Sequence, residues 1–565
     1  MAETPLVEVD GLTFRYRRAT EPAIRDVSLR IEPGEVLLVA GPSGCGKSTL
    51  IRALNGLIPH AYRGELTGTV RIAGKSTTEL RLRELSHTIG TLLQDPAKQI
   101  VGATVEAELA FGPENVAMPP AEIAERIREV YAETGIGHLA GRETAFLSGG
   151  ERQLLAMAGA LMLRPRCYVV DEPLANLDPA TAHGLLSLLR RLADVGHAVV
   201  IVEHRVEEAL ALRPGRVLAM DDGRVTYLGD VAGFLAKADP TAVKLPFDVV
   251  LARIRETASD LAAPTPTPPG DREVRSAIVG PRLEFDDVHV TLGDRHVLRG
   301  VEAALGSAET IAVLGPNGSG KTTLFRTAMQ LVAPDRGTVR IDGQDAAGRP
   351  IAELARTIGY VFQSPSQMLF ARTVREELLF GPRNLGLPLD DPDALALEAL
   401  RRTGLDREED ILDRPPLTLS FGQQKRLALA IGLALRPATL ILDEPSAGQD
   451  HRTAAAFMRA VAEIPGLESL YFVTHDVDLA LTHSDRILVV RDGRIVADGP
   501  PASVVEDAER WAACNLERTS LMEANLAWSA RSDRRFLDAP TLAAAMLAAE
   551  HRVTGAGEGG LSVER

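Results

Sequence analysis

The chain has 565 residues, 45% of them hydrophobic and 25% charged, with a formal net charge of −15, a balance that excludes the disordered and fibrous classes. No stretch approaches the ~20 apolar residues of a membrane-spanning helix, and Met1 to Asp10 lacks a basic region followed by an apolar run, so a cytoplasmic protein is expected. Cys45, Cys167 and Cys514 are too few for a disulfide framework and lack the paired spacing of a zinc site, while the acidic balance speaks against nucleic acid as a partner.

In chain order, the first apolar run without polar alternation is Glu35-Val-Leu-Leu-Val-Ala40, as expected of a parallel strand buried on both faces. It leads into GPSGCGKST, Gly41 to Thr49. A strand, G-x-x-x-x-G-K-[ST] and a helix form a phosphate-cradling loop. In it Gly41, Gly44 and Gly46 let backbone N–H groups face phosphate oxygens, and the helix N-terminus adds a favourable dipole. Lys47 would neutralise the β- and γ-phosphates of ATP and Ser48 would ligate Mg2+, with Thr49 completing the motif. A helical stretch, Arg152 to Leu163, precedes a second buried strand that ends in Asp171 and Glu172. A carboxylate at that strand end can hold the Mg2+ water shell, and the next one can orient or deprotonate an attacking water. His204 follows a third apolar run, Ala198 to Val202.

The pattern then repeats. Leu261 to Asp271 is proline-dense and marks an extended spacer, assigned to 257–280 between a first copy at 5–240 and a second at 281–503. The second loop, GPNGSGKTT, supplies Gly315, Gly318, Gly320, Lys321, Thr322 and Thr323, and Lys321 lies 274 residues beyond Lys47 (321 − 47 = 274). Gln94 and Gln363, Ser148 and Ser420, Asp171 and Asp443, and His204 and His475 keep nearly that offset, with Glu444 directly after Asp443. The tail at 504–565 has a helix-like apolar pattern around Leu537 to Ala549 and no motif, so its role is open.

Leu147-Ser-Gly-Gly-Glu151 and Leu419-Ser-Phe-Gly-Gln423 match the LSGGQ signature, and with them the chain resembles the ABC ATPases over most of both copies. The resemblance implies an α/β fold: two tandem ABC-type P-loop ATPase domains, each with a mostly parallel core sheet, an antiparallel β subdomain and a helical subdomain. It implies that the two domains pair intramolecularly, head to tail, so that Ser148 and Gly150 of one signature and Ser420 and Gly422 of the other each close the opposite ATP site. It further casts Gln94 and Gln363 as Mg2+ contacts that sense a transmembrane partner, Asp178 and Asp450 as the D-loop aspartates, and His204 and His475 as switch histidines beside the γ-phosphate. Glu172 and Glu444 are then the catalytic glutamates. Tyr16 stands where the family places an aromatic on adenine. Ser148 and Ser420 are also placed to cap a helix pointing at that phosphate.

Gln94-Asp-Pro-Ala-Lys-Gln99, Val105 to Pro113 and Asn115, echoed by Gln363-Ser-Pro365, Val374 to Pro382 and Asn384, are similar to the energy-coupling-factor (ECF) and cobalt-importer ATPases. This implies a peripheral ATPase on the cytoplasmic face of the membrane, working with a transmembrane scaffold protein and a substrate-binding membrane protein to import a vitamin or transition-metal ion. Asp95, Glu106, Glu108, Glu376 and Glu377 lie near these loops; basic residues of docking helices are expected to pair with some of them, the alternative being that they form solvated helix faces.

Some positions depart from the pattern. Leu292 takes the place of Tyr16 in the second copy, Phe421 replaces a signature glycine, Glu151 replaces the usual glutamine, and Met368 aligns with Gln99. The rival function is a soluble tandem ABC protein acting on ribosomes, but those join their copies through a long charged helical arm, unlike the proline-rich joint here. An ATPase of another ABC importer class is the second alternative.

Overall fold

The computed structural model describes residues 5–17, 19–175, 177–240, 242–258, 280–407, 410–447, 449–529 and 536–555. The proline-rich spacer therefore lies, over 259–279, outside the described residues. Contacts divide the chain into two compact units, Met1–Val249 with Asp450–Arg452, and Val250–Gln449 with Thr453–Arg565.

In the first unit β1 (Val7–Tyr16), β2 (Ile24–Ile31), β4 (Gly64–Ile72) and β5 (Lys75–Ser76) make an antiparallel sheet in the order β2-β1-β4-β5. A second sheet has the order β10-β9-β3-β8-β7-β6. It comprises β3 (Val36–Ala40), β6 (Ile89–Leu92), β7 (Cys167–Asp171), β8 (Ala198–Val202), β9 (Arg216–Asp221) and β10 (Arg224–Gly229), parallel except for the β9–β10 pair. Every residue of β3, β7 and β8 is buried, which explains their unbroken apolar character.

The second unit repeats this design. Its antiparallel sheet, in the order β12-β11-β14-β15, uses β11 (Pro281–Leu292), β12 (Arg295–Gly306), β14 (Arg336–Ile341) and β15 (Gln344–Asp345). The order β16-β17-β18-β13-β19-β20 is that of the first core sheet read from its other edge. Its strands are β13 (Thr310–Leu314), β16 (Ile358–Val361), β17 (Thr439–Asp443), β18 (Ser469–Val473), β19 (Arg486–Arg491) and β20 (Arg494–Gly499).

Strand register is what assembles the site. Val39 pairs with Val202, and Val202 pairs with Asp171, so the carboxyl ends of β3, β8 and β7 lie level. Val313, Val473 and Asp443 repeat this arrangement. Motifs more than a hundred residues apart thus meet at one sheet edge, the place where open α/β sheets take ligands.

Each unit also carries a helical section: helices Val105–Asn115, Pro120–Thr134 and Gly149–Leu161 in the first, and Val374–Asn384, Pro392–Arg402 and Phe421–Ala434 in the second. Thr104 and Thr373 cap the leading helix by accepting from Ala107 N and Glu376 N.

The tail is part of a core. Helices Pro501–Glu506, Ala508–Ala513, Ser520–Ser529 and Ala539–Gly555 follow β20, and Trp511, Cys514, Leu516 and Met522 are buried with Leu440, Phe472 and Val489 of the sheet. Cys45, Cys167 and Cys514 are buried free thiols. Among the described residues no helix is long and apolar enough to cross a membrane.

Candidate functional site

At the end of β3 the chain turns through a loop that only glycine permits at its two ends. Gly41 has φ 147° and a Cβ there would lie 2.3 Å from Met220 O; Gly46 has φ 105° and its Cβ would lie 2.6 Å from Ala23 O. Gly315 and Gly320 repeat these conformations at φ 143° and 108°, while Gly44 and Gly318 are also left-handed. The helices Lys47–Leu54 and Lys321–Ala328 start immediately after, carrying Ser48, Thr49, Thr322 and Thr323 in their first turns. Lys47 Nζ donates to Gly41 O and Pro42 O, each at 2.8 Å, and Lys321 Nζ donates to Gly315 O at 2.7 Å and Pro316 O at 2.9 Å. The ammonium groups are thereby held inside their loops.

Across the sheet, Asp171 and Asp443 face these helices. Thr322 Oγ1 donates to Asp443 Oδ1 at 3.0 Å and Ser48 donates to Asp171. Burial, reinforced by the adjacent Glu172 or Glu444, pushes both aspartates up to about 6. Asp171 Oδ1 is buried and has no hydrogen-bond partner among the described residues. Tyr360 OH donates to Asp443 Oδ2 at 3.1 Å, a contact missed in the sequence because the matching strand position of the first copy is Thr91.

Glu172 and Glu444 occupy the left-handed region, with φ 48° and 53°. That conformation costs a non-glycine residue ~1–3 kcal/mol and persists only where the surroundings enforce it. Here the sheet does so: Glu172 N donates to Val202 O and Glu444 N to Val473 O, both at 2.9 Å. His204 Nε2 lies 2.7 Å from Glu172 Oε1, and His475 Nε2 lies 2.9 Å from Glu444 Oε1. Gln94 Nε2 donates to Glu172 Oε2 at 2.7 Å, so the glutamine expected at Mg2+ contacts the glutamate. Gln363 lines a cavity with Asp443, Glu444 and Lys425. Burial raises both glutamates, but the histidine contacts, the nearby lysine and, for Glu172, Gln94 outweigh it and hold them below the usual value. The Nδ1 atoms of His204 and His475 are both buried without a partner among the described residues.

The signature serines cap helices through reciprocal boxes. Ser148 Oγ accepts from Glu151 N at 3.3 Å while Glu151 Oε2 accepts from Ser148 N at 2.7 Å. Ser420 and Gln423 do the same at 3.3 and 2.9 Å. Gly150 and Gly422 stand in the first turns of these helices. The carboxylate that Glu151 introduces is matched by Arg142, whose Nη1 lies 2.8 Å from Glu151 Oε1. Asp178 is the N-cap of helix Pro179–Asp194, accepting from Thr181 N at 3.1 Å, and Asp450 directly precedes helix His451–Ala462; both aspartates are buried.

Tyr16 reaches the loop helix of its own copy. Its hydroxyl lies 3.1 Å from Thr49 Oγ1 and accepts from Arg52 Nη1 at 2.7 Å, with Tyr62 packed edge-on 6.2 Å from its ring. Leu292 in the second copy is exposed.

The expected docking acids are used internally. Glu108 Oε2 accepts from Val101 N and Gly102 N at 2.8 and 2.7 Å, and Glu377 Oε2 accepts from Phe370 N and Ala371 N at 2.9 and 2.8 Å. Glu106 takes Tyr131 OH and Gly141 N, Glu376 takes Arg372 N, and Asp95 pairs with Lys98. What these loops present instead is apolar: Val101 and Phe111 are 61% and 49% exposed, and Phe370 and Phe380 are 64% and 50% exposed.

The sequence pattern described as "ABC transporter" matches residues 24–175 and again 298–447. The chain belongs to the ABC transporter family. Both ABC domains are ATPases, and the protein is an ATP-binding, ATP-hydrolysing subunit of an ABC transporter. Relatives provisionally described as ABC transporter ATP-binding proteins span nearly the whole length. One from Methanosarcina acetivorans is 34% identical over 91% of this chain and 89% of its own. One from Lactiplantibacillus plantarum is 33% identical over 92% and 95%. A solved structure of cbiO1 from Clostridium perfringens, part of the ABC transporter complex cbiONQ, is 33% identical, covering 42% of this chain and 95% of that one with a TM-score of 0.37.

Proposed function

We propose that this chain is the motor of an ECF-type importer, hydrolysing ATP at two sites to drive uptake of a vitamin or a transition-metal ion through membrane proteins it docks against. The observation that carries the reading is the paired apolar surface beside each Gln loop. Val101 with Phe111, and Phe370 with Phe380, stay exposed while the neighbouring acids Glu108 and Glu377 are consumed in fixing the loop backbone. Large exposed apolar side chains beside each Gln loop suit a partner helix better than they suit water. The Gln94-Asp-Pro and Phe111-Gly-Pro113 segments and their second copies support the ECF assignment.

In this reading Gly41, Gly44, Gly46, Lys47 and Thr49 in one site, and Gly315, Gly318, Gly320, Lys321 and Thr323 in the other, hold the phosphates. Ser48 with Asp171, and Thr322 with Asp443, hold Mg2+, assisted by Gln94 and Gln363. The donor set suits that ion, because Mg2+ is ordinarily held by one or two carboxylates together with phosphate and water oxygens, and Asp171 Oδ1 is a buried acceptor with no donor among the described residues. When bound, the ion would supply neutralisation of the charge developing on the phosphate oxygens. Glu172 and Glu444 would orient the attacking water; His204 Nε2 fixes the Glu172 carboxylate, His475 Nε2 stands 2.9 Å from Glu444 Oε1, and the histidine Nδ1 atoms would serve the γ-phosphate. Peripheral attachment to the cytoplasmic membrane face follows from docking.

Co-expression with candidate scaffold and substrate-binding membrane proteins, followed by detergent purification, is the test. A stoichiometric complex with ATP-dependent uptake supports the importer. Sedimentation with ribosomes and never with membrane protein replaces it with the translation-factor reading.

A further inference from the structure

The backbone that follows each candidate catalytic glutamate is held by different side chains in the two copies. In the first, Glu203 Oε1 accepts from Leu174 N at 2.9 Å and Arg205 donates to Leu174 O, so the hold comes from the segment carrying His204. In the second, Thr474 stands where Glu203 does and its Oγ1 lies 3.4 Å from Ser446 Oγ, but the backbone carbonyls of this turn are held from elsewhere. Lys425, only 6% exposed, donates from Nζ to Glu444 O at 3.1 Å, to Pro445 O at 3.4 Å and to Ala447 O. Its counterpart Gln153 is fully buried, and neither side-chain amide atom has a partner among the described residues.

A buried ammonium is tolerated only when its charge and its three N–H donors are satisfied. Three carbonyls from a single turn of chain meet that demand, and one belongs to Glu444 itself, the residue forced into the left-handed region. Lys425 lies on helix Phe421–Ala434, which Ser420 caps and whose first turn holds Gly422. The lysine therefore ties the signature helix to the backbone on which Glu444 is mounted, within one copy.

We propose that Lys425 is a positioning residue for ATP hydrolysis by the second copy: it fixes residues 444–447 from the signature helix and so aims the Glu444 carboxylate, a dependence the first copy lacks. The inference rests on Glu444 being the group that orients the attacking water. In the full chain, Lys425→Gln installs the first copy's residue, and Lys425→Arg keeps a cation with several donors. Lys425→Gln is expected to lower kcat about tenfold, within the ~10²-fold that a 1 Å misplacement of a reactive group costs. KM for ATP should stay within a factor of about two, since the loop that holds the phosphates is untouched. Hydrogen exchange should quicken over 444–450 and stay unchanged over 172–175. Lys425→Arg should restore most of kcat. An unchanged kcat with unchanged exchange overturns the proposal. So does a loss shared by Lys425→Arg with exchange raised throughout the second unit, which would mark a stability residue only. Glu444→Gln, measured alongside, separates the two readings: wild-type turnover there removes Glu444 from the chemistry, while the exchange result still judges the Lys425 hold.

Discussion

His204 and Glu172 are bonded at 2.7 Å, Nε2 to Oε1, with both side chains buried. Gln94 holds the other oxygen of the same carboxylate, so Glu172 has little freedom to turn. The strained backbone at φ 48° removes what freedom the side-chain contacts leave. Such a carboxylate is positioned to act on one fixed point, as a water-orienting base must. Glu172→Gln combined with Glu444→Gln is expected to keep nucleotide binding and to cut phosphate release by ~10²–10⁴, the usual cost of a lost general base. Equilibrium ATP binding and steady-state phosphate release, measured on the same preparation, check this. Turnover at the wild-type rate would remove both glutamates from their roles.

A second expectation concerns the aspartates that Ser48 and Thr322 contact. Burial raises Asp171 and Asp443 to about 6, above the unfolded value of 3.8. A raised carboxyl holds its proton more tightly when folded, so its ionisation costs folding free energy, and that cost builds as pH rises through this window. Without Mg2+, Asp171→Asn with Asp443→Asn should therefore be more heat-stable than wild type at neutral pH. The gap should close as pH falls below about 6, where the wild-type groups are already neutral. Thermal melting against pH, with and without Mg2+, tests the sign. A gap that widens on acidification refutes it.

The sequence exposes its linear motifs and hides what the sheet order brings together. The two phosphate loops, the Asp-Glu strand ends and the signature caps are legible because each is a short pattern with a local geometric purpose, and the repeat doubles the signal. Lys425 and Glu444 are 19 residues apart, and Tyr360 and Asp443 are 83 apart. No local pattern couples these pairs, and the first copy has Gln153 and Thr91 at the matching places. Glu108 and Glu377 mislead for the opposite reason. They stand beside the Gln loops as if available to a docking helix, yet each folds back onto loop N–H groups six and seven residues earlier. The tail reads as motif-free and is nevertheless structural, because Trp511 and Met522 complete an apolar core.

Unequal nucleotide affinity is the third expectation. Tyr16 is anchored through its hydroxyl by Thr49 and Arg52, whereas Leu292 stands exposed at the matching position. If the Tyr16 ring carries adenine, its loss costs ~1–3 kcal/mol of stacking. The first site should then bind ATP about tenfold more tightly than the second, since every ~1.4 kcal/mol is tenfold. Titrations of Lys47→Ala and Lys321→Ala, each leaving one loop intact, measure the two sites separately. Tyr16→Phe should retain most of the affinity and Tyr16→Ala should lose it. Equal loss in both would assign the role to the hydroxyl contacts instead of the ring.

The last expectation tests the apolar docking surface against the acidic one that the sequence suggests. Phe370 and Phe380 meet edge to face with centroids 4.7 Å apart, yet both are at least half exposed, so they form a small apolar ridge beside Gln363 in sequence. Replacing exposed side chains away from caps and cores usually changes stability by only ~0.5 kcal/mol. Phe370→Ala with Phe380→Ala should thus leave the melting temperature and the ATPase rate of the isolated chain close to wild type. A partner that buries the ridge would lose substantial contact area, because aromatic anchors commonly cost ~2 kcal/mol or more at an interface when truncated. Recovery of membrane proteins on detergent purification should therefore fall at least tenfold. Asp95→Asn makes the opposing test, since Asp95 forms an exposed ion pair with Lys98 at 3.4 Å, and exposed pairs contribute ~0–1 kcal/mol. Recovery unaffected by that change and abolished by the phenylalanine pair would place the contact on the apolar ridge. The reverse result would return the docking role to the acids.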